Sequence, residues 1–152
     1  MKNTIKNFGI IAIVAVIGFA LSSCLTLGGG SDDGVVGDGG FGRSMVMTAE
    51  WPSEATWAEN GITGGLQQPS GTTVGSVGIY SGIFAVQLVN ANKAAFDNLV
   101  NQIERQGGWT VYERDSNRRE ETVSFIQGGK SVGVGLDIRE NTVSIVAATD
   151  NR

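Results

Sequence analysis

From Thr72 onward, hydrophobic and polar residues alternate in short blocks with two different periods. Thr72 to Tyr80 and Ile83 to Asn90 read as β-strands, and in the second Phe84, Val86 and Leu88 fall on one face. Ser81-Gly82 joins them as a two-residue connection suited to a tight hairpin turn. The period then changes. Asn92 is placed to cap a helix over Lys93 to Gln106, where Phe96, Leu99, Val100 and Ile103 recur at i, i+3, i+4 and i+7, and Gly107-Gly108 closes it. Trp109 to Arg114 reads as a strand, Asp115 to Glu120 as a polar tip, and Glu121 to Gln127 as the returning strand. Lys130 to Ile138 alternates strictly, with Val132, Val134, Leu136 and Ile138 on one side, and Thr142 to Ala148 repeats the pattern. The order β-β-α-β-β-β-β predicts an α+β fold, an antiparallel β-sheet with one helix packed on one face.

Upstream the pattern weakens. Trp51 to Glu59 has room for one short helical turn between Ser53 and Asn60, and Gly61, Gly64, Gly65, Pro69 and Gly71 then enforce an irregular segment. Between Gly28 and Gly42 eight of fifteen residues are glycine, interspersed with Asp32, Asp33 and Asp38, so little apolar surface offsets the entropy of ordering them. Residues 24–44 are therefore expected to be a flexible tether with an r.m.s. span of about 25 Å, and residues 45–152 a single domain. The aspartates lack the D-x-[DN]-x-[DN]-G spacing of a calcium loop.

At the amino end, Lys2 and Lys6 precede an uncharged, mostly apolar run of 14 residues, Phe8 to Leu21. It is shorter than the roughly 20 apolar residues of a comfortable bilayer span and fits a secretory signal. Leu21-Ser22-Ser23-Cys24 resembles the bacterial lipobox, and the only cysteine of the chain sits at its last position. That resemblance implies a signal peptide over residues 1–23 and lipidation of Cys24 by diacylglycerol on its thiol. Cys24 then becomes the new amino terminus and is usually N-acylated as well, with chains such as palmitate. The competing readings are an ordinary signal cleavage beside Cys24 and a retained anchor over residues 8–21. The expected location is the cell envelope, lipid-anchored to a bacterial membrane at the outer membrane or an extracytoplasmic face. In Gram-negative lipoproteins a residue other than Asp after the cysteine, here Leu25, permits outer-membrane sorting.

Composition narrows the chemistry. The chain has no histidine and one cysteine, which removes His-based triads, His-zinc sites and any intramolecular disulfide. Loss of Lys2 and Lys6 with the signal moves the formal charge from −4 to −6, so neither a nucleic-acid footprint nor a polybasic membrane patch is present in the mature chain.

The domain resembles a group of small bacterial lipoprotein domains of unassigned function. Trp51-Pro52, Pro69, Val86-x-Leu88, Phe96-x-x-Leu99, Gly108-Trp109 and Val132-x-Val134 carry the likeness over about 95 residues. These are packing motifs, so the resemblance implies a fold and supplies no catalytic residues.

Few side chains are left to carry chemistry. Gly129-Lys130-Ser131 imitates the end of a phosphate-binding loop, but Ser124 stands where the pattern needs glycine and a strand follows where a helix is required, so no nucleotide is expected. Lys130 and Ser131 do not form a dyad, because neighbours on a strand point to opposite faces. Glu113, Asp115, Arg118, Arg119, Glu120 and Glu121 crowd one hairpin. A solvated tip is the plain reading; contact with a partner through Arg118 and Arg119, or acid and base work by paired carboxylates, are the functional ones. Trp109 is expected in the core, whereas Trp51 and Trp57 are candidates for a contact surface or for a lid over the core. The expected function is a non-enzymatic binding or assembly module that meets an envelope protein or a glycan, without metal or cofactor. The alternatives are a carboxylate-dependent envelope hydrolase and a glycan-binding domain using exposed tryptophans.

Overall fold

The computed structural model describes residues 45–80 and 83–149. Cys24, the 24–44 segment and the Ser81-Gly82 connection lie outside the described residues. Seven strands form one sheet: β1 (Met45–Thr48), β2 (Thr73–Tyr80), β3 (Ile83–Val89), β4 (Thr110–Ser116), β5 (Glu120–Gln127), β6 (Lys130–Asp137) and β7 (Thr142–Thr149). Two helices accompany them, α1 (Glu54–Glu59) and α2 (Lys93–Arg105). The strand order is β1-β2-β3-β7-β6-β5-β4, antiparallel throughout, so the last four strands form a meander whose end returns to β3.

The α+β architecture with a helix on an antiparallel sheet is therefore present, but the expected order needs correcting. The chain runs β-α-β-β-α-β-β-β-β, because β1 and α1 precede the hairpin. Strand β1 has four residues, too few to display a period, and it exists by pairing with β2 some thirty residues later. Helix α1 is nucleated by its ends: the Ser53 hydroxyl accepts from the Thr56 N–H at 3.2 Å, and Trp57 anchors the buried side.

Helix α2 lays Ala95, Phe96, Leu99, Val100 and Ile103 on the sheet. They meet Val86 and Leu88 of β3, Val123 and Phe125 of β5, Val132, Val134 and Leu136 of β6, and Val143, Ile145 and Ala147 of β7 in one core. Trp109 is half-buried against the same core. On the opposite face Ala85, Val146 and Ile83 make a smaller cluster. A second correction concerns Ile138, expected on the buried side of its strand but 47% exposed. Strand β6 stops at Asp137, whose Oδ1 accepts the backbone N–H groups of Arg139 and Glu140 at 2.9 and 3.1 Å and turns the chain before Ile138 can continue the alternation.

Candidate functional site

The segment that connects β1 to β2 folds beside α2 and borders an open cleft of about 370 Å³. Trp51, Pro52 and Glu54 form one wall, and Gly64, Gly65, Leu66, Gln67 and Gln68 form the other. The first wall is fixed through aromatic packing. Trp57 is fully buried, with its ring edge-on to Phe84 at a centroid distance of 5.3 Å, and Trp51 tilts against it at 5.4 Å. The Trp51 Nε1–H donates to the Leu66 carbonyl at 2.7 Å, which ties the two walls together.

The second wall is held from α2 by amides one turn apart. Gln102 grips the main chain of Gln67 twice: its Oε1 accepts the Gln67 N–H at 2.7 Å and its Nε2 donates to the Gln67 carbonyl at 3.0 Å. Gln106 Nε2 donates to the Gly65 carbonyl. Gly65 has φ +62°, and a Cβ there would lie 3.1 Å from Glu54 Cγ, so glycine permits the walls to approach. The side chains of Glu54 and Gln67 border the cleft, are exposed and bond to no other described residue. Gln68 donates through Nε2 to the Thr72 carbonyl, leaving its amide oxygen as an acceptor.

The candidate contacts separate in space. Trp51 lines the cleft, half-buried; Trp57 lies inside the core and offers a partner no surface. Arg118 and Arg119 lie in the exposed turn between β4 and β5, where Asn117 Oδ1 accepts the N–H groups of Arg119 and Glu120. The carboxylates of that hairpin splay apart. Glu113 and Asp115 pair with Ser124 and Thr122, which places them on the face away from α2. Glu121 turns to the helix side and accepts from Lys93 Nζ at 2.8 Å, while Arg114 meets Glu104 at 3.4 Å. Such spacing gives no concave carboxylate pair of the kind acid and base work requires. Among the described residues there is also no group of three or more acidic or thiol side chains positioned to hold a metal. Gly128-Gly129 forms the turn into β6 with φ +59° at Gly128, so Lys130 starts a strand.

Sequence reasoning identified Trp51 but not its companions. Glu54, Gln67 and Gln68 sit in a stretch without a period, and the available signal was the pair Gln102 and Gln106, polar residues at i, i+4 beside the apolar stripe of a helix. Comparison with protein-family models, with curated proteins and with solved structures found no match to this chain.

Proposed function

We propose that the chain is a lipid-anchored bacterial envelope protein whose domain is a non-enzymatic binding module, with the Trp51 cleft as its contact site. The anchor rests on the amino-terminal sequence: the two lysines, the apolar run of 14 residues and Leu21-Ser22-Ser23-Cys24. Two or three acyl chains hold a protein stably on a bilayer where one chain exchanges, each buried methylene contributing about 0.8 kcal/mol.

The observation that carries the binding reading is the fixed Trp51 ring at the mouth of a cleft bordered by amides and one carboxylate. An aromatic platform with a few placed polar groups is recognition chemistry, and its rigidity lowers the entropy lost on binding. The anchor is tested by Cys24→Ser in the full-length protein in its bacterial host. Lipid labelling and detergent-phase partitioning are expected to disappear and the signal to stay uncleaved; normal partitioning would remove the anchor from the proposal. The binding reading is tested by in-cell crosslinking of full-length protein with and without Trp51→Ala, read for adducts on either protein or glycan. Adducts that depend on Trp51 are expected, and an identical pattern in both chains would refute the cleft as the contact site.

A further inference from the structure

We infer that the Trp51 cleft takes a neutral saccharide, a refinement that rests on the binding-module reading above. The middle of the cleft's second wall has its main chain already committed. The Leu66 carbonyl accepts from Trp51 Nε1, the Gln67 N–H and carbonyl are both held by Gln102, the Gly65 carbonyl accepts from Gln106, and the Gly65 N–H donates to Ile62 at 3.0 Å. An extended peptide that docks by main-chain pairing needs an unbroken row of free N–H and C=O groups, and these bonds interrupt the row at Gly65, Leu66 and Gln67. Recognition falls to side chains.

Those side chains match a sugar. Because the Nε1–H of Trp51 is spent on Leu66, a ligand meets the indole as a π surface rather than as a donor. The C–H face of a pyranose ring stacks on such a surface, whose electron-rich face attracts the weakly positive C–H hydrogens. Around it the Gln67 amide supplies two N–H donors and an acceptor, Gln68 an acceptor oxygen, and Glu54 a carboxylate, a set suited to hydroxyl groups that both donate and accept. At about 370 Å³ and open to solvent, the cleft offers a short stretch of glycan one face to lie on rather than a closed pocket.

Charge selects among glycans. Among the described residues no lysine or arginine lines the cleft, and Glu54 stands on its rim. A phosphate, sulfate or uronate would find no cation to pair with and a carboxylate nearby, so uncharged sugars, N-acetylated ones included, are the class that fits.

The test is isothermal calorimetry on the full-length protein in a zwitterionic detergent without a sugar headgroup. The probes are neutral tetrasaccharides of β-1,4-glucose, α-1,4-glucose and β-1,4-N-acetylglucosamine, with tetragalacturonate as the anionic control. At least one neutral probe is expected to bind, and tetragalacturonate is not. Trp51→Ala is expected to weaken binding about tenfold, the size of one aromatic stacking contact, and Trp51→Phe to retain most of it. Gln67→Ala, whose main-chain bonds to Gln102 are untouched, is expected to weaken binding severalfold with an unchanged thermal midpoint, and it decides the matter if Trp51→Ala fails to fold. The inference is overturned by no neutral binding at millimolar probe, by equal binding of tetragalacturonate, or by neutral binding that ignores both substitutions. The crosslinking comparison keeps the two readings apart: protein adducts that require Trp51, with no saccharide bound, leave the binding module standing and refute only the sugar.

Discussion

Lys93 concentrates three interactions in one side chain at the start of α2. Its Nζ lies 2.6 Å from Asp97 Oδ1 and 2.8 Å from Glu121 Oε1, and 4.8 Å above the ring of the buried Phe96. Partial burial works against its charge, but hydrogen bonds to Asp97 and Glu121 outweigh that and hold the ammonium above its ordinary value of 10.5. A group whose folded value is raised stabilises the fold fully below its unfolded value and loses that contribution as pH rises through the folded one. Lys93→Met should therefore cost a constant amount from neutral pH to about pH 10, under about 1 kcal/mol because the pair is half exposed, with the cost fading as pH rises further through the raised folded value. Urea denaturation of both chains across that range reads the difference directly. The sequence displayed Lys93 and Asp97 at i, i+4, whereas the Glu121 contact bridges 28 residues and required the fold. Trp57 carries the same lesson for the site. Nothing in Trp51-Pro52-Ser53-Glu54-Ala55-Thr56-Trp57 separates the two indoles, yet one is a wall of the cleft and the other lies under it with its Nε1 unpaired among the described residues.

At the scale of elements, α2 was the most legible, because every determinant of it is local. Asn92 Oδ1 accepts the Ala95 N–H at 3.2 Å, five apolar residues form the buried stripe, and Gly107 and Gly108 leave the helix at φ +71° and +76°. Asn92→Ala is expected to lower stability by about 1 kcal/mol, with Asn92→Asp restoring most of it, as measured by thermal unfolding. Strands β5, β6 and β7 were legible for the related reason that a sheet covered mainly on one side imposes a period of two, whereas β3 was legible as an apolar run although it buries Phe84 to Leu88 on both faces. Their ends were less so. The Asp137 side chain turns the chain at Ile138, whose N–H still donates to the Arg119 carbonyl at 2.8 Å, and hydropathy does not record that local turn. Strand β4 is irregular for another reason: an extra residue between Val111 and Glu113 shifts its register, and all seven of its residues are exposed.

At the scale of the molecule that exposed strand is an edge, and its charges decide what it pairs with. Across a two-fold axis normal to the sheet, residues opposite each other must share a face, so a self-pairing register is centred on a residue. Centring on Glu113 or Asp115 sets that carboxylate against its own copy, and centring on Arg114 sets Glu113 against Asp115 and Arg114 against itself. Like charges directly opposite are destabilising, so the edge resists a second copy of the chain. The double substitution Glu113→Thr and Asp115→Thr should release it and produce concentration-dependent dimers or larger species in sedimentation velocity, with the unaltered chain unpaired through β4. By itself the sequence determined the α+β class, the helix and its capping residue, and the face most of the long strands bury. All of these follow from charge, period and neighbours within a few residues. Only the tertiary structure decided that Met45–Thr48 joins the sheet, that Trp51 rather than Trp57 reaches the surface, and that Gln102 and Gln106 clamp residues 65 and 67 against it. Those choices depend on contacts between residues 15 to 41 positions apart, whose energies no local pattern in the chain records.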